Sequence, residues 1–297
     1  MDFLECYRKA GKIASTVREN AREKNHIGST MFKICEEIEI EIRKKGAEPA
    51  FPVNVSLNEI AAHYTAEPND PIPVKDGDIL KIDIGVHVDG FIADTAVTVC
   101  YNPEFDSLVR SSEIALNEAL KIAKTGVKSS DIGKVIESSI IKGGFIPIKN
   151  LSGHSLEQYT IHAGKSIPNI DTFGSFRLET NHIYAIEPFV TVKNGLGIVH
   201  EGKIANIFAI VSRKPTKEKE TDEFLNELWN RFRSLPFALR WLLDSHEEKK
   251  ARDLLEKLKK RKNVHAYPVL IEGKGMIVAQ SEHTIIPIEN IVEVITA

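Results

Sequence analysis

Cysteine is scarce: Cys6, Cys35 and Cys100 are the three in 297 residues, odd in number and with no Cys-x-x-Cys pair. A disulfide framework is therefore not expected, and reduced, mostly buried thiols in a cytoplasmic protein are. No run of about 18 apolar residues occurs, so no transmembrane helix and no membrane partner are expected. The start, Met1-Asp2-Phe3-Leu4-Glu5, is acidic and lacks the basic and apolar regions of a signal peptide. An excess of charge of one sign is missing as well. A net charge of -3 gives no global attraction to nucleic acid or to a membrane surface. Glutamine is confined to Gln158 and Gln280, while Lys, Glu and Ile are abundant, a composition that leans towards a thermophile.

What is present is ordinary for a globular chain, and its length suits one large domain or two smaller ones. Leu4, Tyr7, Ala10, Ala14, Val17 and Ala21 recur at helical spacing and predict a helix from about Phe3 to Asn25. A second helix is expected from a Ser29 or Thr30 cap to Gly46. Phe51 to Tyr64 reads as strand and loop, and Asp76-Gly77-Asp78 as a turn. Further helices are expected from Phe105 to Lys124 and from a Ser129 or Ser130 cap to Gly143-Gly144. Strands follow through Glu187. The plan is thus helix-helix-strands twice over, with carboxylate-bearing strands in each half and no residue-level repeat.

Two aspartates stand out. Asp83 and Asp94 each sit among strand-forming apolar residues, where Asp is disfavoured. Asp89-Gly90 between them is a hairpin turn signal. A two-residue loop there sets Asp83 opposite Thr95 or Ala96 and Asp94 opposite Gly85, with both carboxylates on one face. Two like charges that close call for a cation between them. On this segment alone, two solvent-facing aspartates on an exposed hairpin is an equal reading. Three further places tip the balance: His154 in Gly153-His154-Ser155, Glu187 held extended ahead of Pro188, and Glu282 just before an apolar strand.

The order Asp, Asp, His, Glu, Glu in these local sequences resembles the methionine aminopeptidases of the pita-bread metallopeptidase group. Ser56-Leu57-Asn58-Glu59-Ile60-Ala61-Ala62-His63-Tyr64-Thr65 and Gly153-His154-Ser155-Leu156-Glu157-Gln158-Tyr159-Thr160-Ile161-His162-Ala163-Gly164-Lys165 look like the type 2 branch. The short archaeal form is the nearer match, because the long charged N-terminal extension of the eukaryotic enzymes is absent. The resemblance implies an α+β pita-bread (creatinase/aminopeptidase) fold, with pseudo-symmetric halves around a curved antiparallel sheet. It divides the chain into a catalytic domain, 1–200 and 266–297, and an inserted helical subdomain, 201–265.

The same resemblance implies two divalent metal ions, Co, Mn, Fe(II) or Zn, held by Asp83, Asp94, His154, Glu187 and Glu282. Asp94 and Glu282 would bridge, Asp83 would chelate one metal, and His154 with Glu187 the other. Four carboxylates and a neutral imidazole balance two divalent charges, and are hard-to-borderline ligands suited to those metals. His162 would donate to the scissile carbonyl and His63 would contact the leaving-group side. Phe51, Ile161 and Tyr267 would form or border an apolar methionine pocket. His200 is a further candidate for the cleft. The substrate would be the N-terminus of a nascent protein, met free or at the ribosome, and the enzyme a monomer.

Within 201–265, Thr221 to Phe232 is amphipathic, Pro236 suits the first turn of a helix carrying Leu239, Trp241, Leu242 and Leu243, and Glu247 to Arg261 is a charged helix. Asp253 with Lys257 and Glu256 with Lys260 have the spacing of intrahelical ion pairs. The basic cluster Lys257 to Lys262 reads as a solvated helix end rather than a nucleic-acid surface. Two rivals remain for the whole chain. A prolidase or aminopeptidase P shares the ligands, but generally carries a large extra N-terminal domain for which 82 residues leave no room. A non-catalytic binding protein of the same fold should show substituted ligands, whereas all five are here.

The resemblance also predicts how the chain would treat its own N-terminus. The residue after methionine must sit at the crowded metal centre, which favours a small one, and Asp2 is larger and anionic. Met1 should be retained. Intact-mass measurement checks this: most of the purified protein keeps its methionine, and Asp2→Ala loses it.

Overall fold

The structure, a computed structural model, describes residues 2–297; Met1, and with it the predicted methionine retention, lies outside the described residues. Asp89 and Gly90 both take positive φ, 51° and 84°, the pair of conformations a type I′ hairpin turn requires. The strands Ile79–Val88 and Phe91–Cys100 therefore pair in unbroken antiparallel register, ten residues each. Asn54–Leu57 and Glu48–Pro49 pair along the outer edge of Ile79–Val88. Helices α1 (Phe3–Glu23) and α2 (Met31–Lys44) cover this sheet. The apolar stripe read from the sequence lies on the buried face of α1, and that face carries one charged residue, Arg18.

The second half repeats the arrangement. Helices α3 (Asp106–Ile122) and α4 (Ser129–Lys142) pack on a five-stranded antiparallel sheet. Its strand order is Ile291–Val294, His283–Ile288, Ile183–Ile186, Ser152–Leu156, Ser166–Pro168. Each half has its own apolar core. The halves meet where Ala96 and Glu282 exchange backbone hydrogen bonds, joining the hairpin to the second sheet. The α+β pita-bread plan inferred from the sequence is therefore the observed one. At α4 the cap is Lys128, without a side-chain hydrogen bond, and Ser129 is the first helical residue.

A third apolar core is drawn from residues between Phe208 and Val264. Helices α5 (Lys219–Phe232) and α6 (Glu248–Lys260) belong to it. It is not purely helical. Phe237–Ala238, Ile207–Ile210 and Val264–Tyr267 make a three-stranded sheet. The helix expected after Pro236 is instead this strand followed by a 3-10 turn, Leu239–Leu242. The reason is long-range: Phe237 pairs with Phe208, and the next residues turn towards α2. There Arg240 forms a buried ion pair with Glu39, whose other oxygen accepts from the Trp241 indole at 2.6 Å. The expected intrahelical ion pairs of α6 are also replaced. Lys257 reaches Glu218 on the neighbouring segment at 3.2 Å, and Glu256 pairs with Lys259 at 2.6 Å.

Burial pushes the Glu39 carboxyl up, and Arg240, the Trp241 N–H and the Val53 N–H oppose that. Removing one member of such a pair strands the other charge in the interior. Glu39→Ala should cost about 3–5 kcal/mol, read as a lower denaturant midpoint in equilibrium unfolding. A change within experimental error would show that the pair is not what docks the third core to α2.

Candidate metal centre

Within the hairpin Asp83 lies opposite Ala96 and Asp94 opposite Gly85, so both side chains project from one face. Gly85 is required to be small: a Cβ there would lie 2.2 Å from the Phe51 ring, which fills the space. Glu187 occupies the two-residue break between Ile183–Ile186 and Phe189–Thr191, where Pro188 interrupts the ladder. Glu282 comes to Asp94 through the Ala96 bridge, and Thr284 reinforces the contact by hydrogen bonds to both the N–H and the C=O of Asp94, each 2.7 Å. His154 arrives from the second sheet, opposite Ala185.

The five residues converge as two overlapping triads. Ligand atoms of Asp94, His154 and Glu282 lie within 4.8 Å of one another, and so do those of Asp83, Glu187 and Glu282. Glu282 belongs to both, as a bridging carboxylate would. Glu187 groups with Asp83 here, whereas the resemblance pairs it with His154. Gln280 lies between Glu187 and Asp83: its amide donates to Glu187 at 2.7 Å and approaches Asp83 at 3.4 Å.

The cluster is otherwise short of donors. One oxygen each of Asp83 and Asp94, and both of Glu282, are buried and accept no hydrogen bond from the described residues. Acceptors stranded in this way are costly unless a cation meets them. Burial pushes Asp83 up to about 7. Burial raises Asp94, Glu187 and Glu282 well above the ordinary carboxylate range, and the neighbouring carboxylates add to the rise. An imidazole and four carboxylates, short of donors and close enough to share ions, fit divalent cations of the Mn to Zn series.

A cavity of about 300 Å³ opens over the cluster. Its wall carries Asp83, Asp94, His154 and Glu187, together with His63, His162, Phe51, Ile161 and Tyr267. Glu282 is buried off that wall. Burial lowers His63 to about 4 and His154 to about 3, and it lowers His162 as well, so all three imidazoles are neutral near pH 7. His162 stacks edge-on to His154 at 4.5 Å, and His63 edge-on to Tyr267 at 5.7 Å. His200 is exposed on the strand His200–Glu201 and is absent from the wall. Two wall or near-wall residues escaped sequence reading. Gln280 stands out in the sequence only for the scarcity of its type, although an amide in an apolar strand two residues before a candidate ligand is itself a signal. Asn54 lies opposite Asp83, donates to the Pro52 carbonyl, and keeps its own oxygen unpartnered in the cavity wall.

A model of metallopeptidase family M24 matches residues 5–210. The chain belongs to this family. A Pyrococcus horikoshii protein named methionine aminopeptidase is 43% identical over 289 residues, covering 97% of each chain. The fold is likewise that of a Thermotoga maritima methionine aminopeptidase structure, with TM-score 0.70 and 22% identity over 98% of this chain and 95% of that one. It is also that of a thermophilic Arx1 structure, with TM-score 0.84 and 18% identity over 99% of this chain and 91% of that one. Membership of M24 implies divalent metal, which the donor set described above suits. No helix among the described residues is long and apolar enough to cross a membrane.

A pH dependence follows for the metal-free protein. Unfolded carboxyls titrate near 4, whereas the buried four titrate higher, Asp83 at about 7. The folded state then binds more protons in that window. Its stability is full below the unfolded values and is lost as pH rises through the folded ones. The buried neutral histidines add stability with rising pH only up to their unfolded value near 6.5, so above it the carboxylates decide: in chelator, the unfolding midpoint should fall from pH 7 to pH 8, and excess Mn(II) should restore it at pH 8, by about 2.7 kcal/mol at a hundred times Kd. Equal stability at the two pH values in chelator would contradict the carboxylate account.

Proposed function

We propose that this M24 chain removes the initiator methionine from nascent proteins whose second residue is small, with Asp83, Asp94, His154, Glu187 and Glu282 holding two divalent ions. The observation that carries the reading is the pair of triads sharing Glu282 beneath a cavity walled by two neutral histidines and apolar side chains. Bound divalent metal lowers the pKa of water towards about 7 and so supplies hydroxide at neutral pH. The metal could be Co, Mn, Fe(II) or Zn.

The chain's own residues do the rest. Phe51, Ile161 and Tyr267 offer the methionine side chain a soft apolar seat. His162, neutral, donates its N–H to the scissile carbonyl oxygen, a bond that strengthens as charge builds there. His63 turns Nδ1 to the Pro268 carbonyl at 3.3 Å, which leaves Nε2 for the leaving-group side. We read 201–265 as an insertion into the catalytic unit of 1–200 and 266–297. The end of the family match at residue 210 and the separate apolar core support this. Through Ile207 and Pro236 the insertion closes one side of the cavity.

The test compares methionine release from Met-Ala-Ser with cleavage of a Xaa-Pro peptide across a metal titration. Release of methionine that vanishes in chelator and returns with Co(II) or Mn(II) is expected. Full activity in chelator, with metal absence confirmed by elemental analysis, sinks the reading, and preference for Xaa-Pro redirects it to prolidase chemistry. His154→Ala should lower both bound metal and rate. His162→Ala should keep the metal and lower kcat by about 10²–10³. Loss of metal in His162→Ala would overturn the role given to that residue.

A further inference from the structure

Arg18 lies on the buried face of α1, among Ala14, Val17 and Ala21, with 6% of its surface exposed. Its Nη1 donates to the Thr95 hydroxyl at 2.7 Å and to the Thr296 carbonyl at 2.6 Å, and lies 3.1 Å from Nδ1 of His283. Nε and Nη2 meet one oxygen of Glu19, at 2.9 and 2.7 Å. Thr95 follows Asp94 in the chain, and His283 follows Glu282. Thr95 passes the contact on, its hydroxyl donating to the Glu282 carbonyl at 2.8 Å. Thr296 closes the ring: its hydroxyl lies 2.9 Å from Nδ1 of His283 and accepts from the Thr284 N–H at 3.0 Å. One guanidinium thus touches, from behind the sheet, the residue next to each of two carboxylates that must stand side by side.

Stability alone gives little reason for a cation at this place. Replacing a buried ion pair by an apolar side chain of similar volume is often neutral or stabilising, and the α1 stripe is otherwise apolar. A guanidinium can anchor two strands and the chain end at once, because its donors are fixed in a planar fork.

We propose that Arg18 is a positioning residue for the metal centre: through Thr95 and His283 it sets the spacing of Asp94 and Glu282, and with it the affinity for divalent metal. The proposal rests on the ligand assignment above. It assigns no contact between Arg18 and metal or substrate.

The full-length chain, stripped with chelator, is titrated with Mn(II) by calorimetry, and its metal-free stability is measured in parallel. Arg18→Met should weaken Mn(II) binding by about 10–100-fold, the usual effect of removing a group that orients a ligand. Thr95→Val, which removes only the relay hydroxyl, should weaken it in the same direction. Arg18→Lys keeps the charge without the fork and should fall between Arg18→Met and the unmodified chain. Val17→Ala, a neighbouring core truncation on α1, should lower stability but leave Mn(II) affinity unchanged. Unchanged affinity in both Arg18→Met and Thr95→Val overturns the proposal, and so does a Val17→Ala loss of affinity as large as that of Arg18→Met. If Arg18→Met does not fold, Thr95→Val and Arg18→Lys decide by the same criterion. An unmodified chain that takes up no Mn(II) would overturn the ligand assignment itself.

Discussion

Four carboxylates buried together at the seam of two sheets are the constraint around which this protein is organised. Each would be costly to bury alone, and together they repel. The chain nevertheless brings them together from positions nearly 200 residues apart, with oxygens left short of hydrogen-bond donors. Only a rigid frame can hold such an arrangement against its own electrostatics. The frame is visible in the ten-residue hairpin, in the Ala96–Glu282 bridge, and in the threonine hydroxyls that tie the strands bearing Asp94 and Glu282. In the proposed reading, divalent cations would turn the strain into an affinity, since what repels without them would bind them.

Around this acidic floor the histidines of the cavity wall are neutral. Burial keeps His63 and His162 uncharged, so that each can offer a hydrogen bond without adding positive charge that would compete with metal. The apolar part of the wall is drawn from many segments, among them Phe51 beside the hairpin, Ile161 beyond the His154 strand, and Tyr267 at the end of the strand Val264–Tyr267. The buried Arg240–Glu39 pair holds the third core against α2, and Glu39 also accepts from the Val53 N–H, next to the wall residue Asn54. The cavity wall and the docking of the third core therefore meet at one carboxylate, Glu39.

Much of this was legible in the residues. Asp89-Gly90 specified its turn because few other dipeptides tolerate two positive φ values, and the turn in turn set the register of Asp83 and Asp94. The helices of the two halves announced themselves through apolar spacing. What misled was local propensity where distant partners decide the conformation. Pro236 was well suited to open a helix, yet Phe237 pairs with Phe208 and Arg240 turns to Glu39. On α6, Lys257 found its partner on another segment, while Glu256 paired within the helix at a different spacing. His200 belonged to the right stretch of sequence but faces solvent.

The sequence by itself determined the type of chemistry, because five ligand-type residues in strand contexts and in a recognisable order leave few alternatives, and local patterning sufficed to place them on strands and breaks. Tertiary structure alone decided how they are grouped, which groups orient them, and what lies behind them. Gln280 between Asp83 and Glu187, and Arg18 beneath Thr95 and His283, act across separations of 77 to 265 residues. The physical reason is that hydrogen bonds depend on distance in space, to within a few tenths of an ångström, and a one-dimensional pattern carries no such distance.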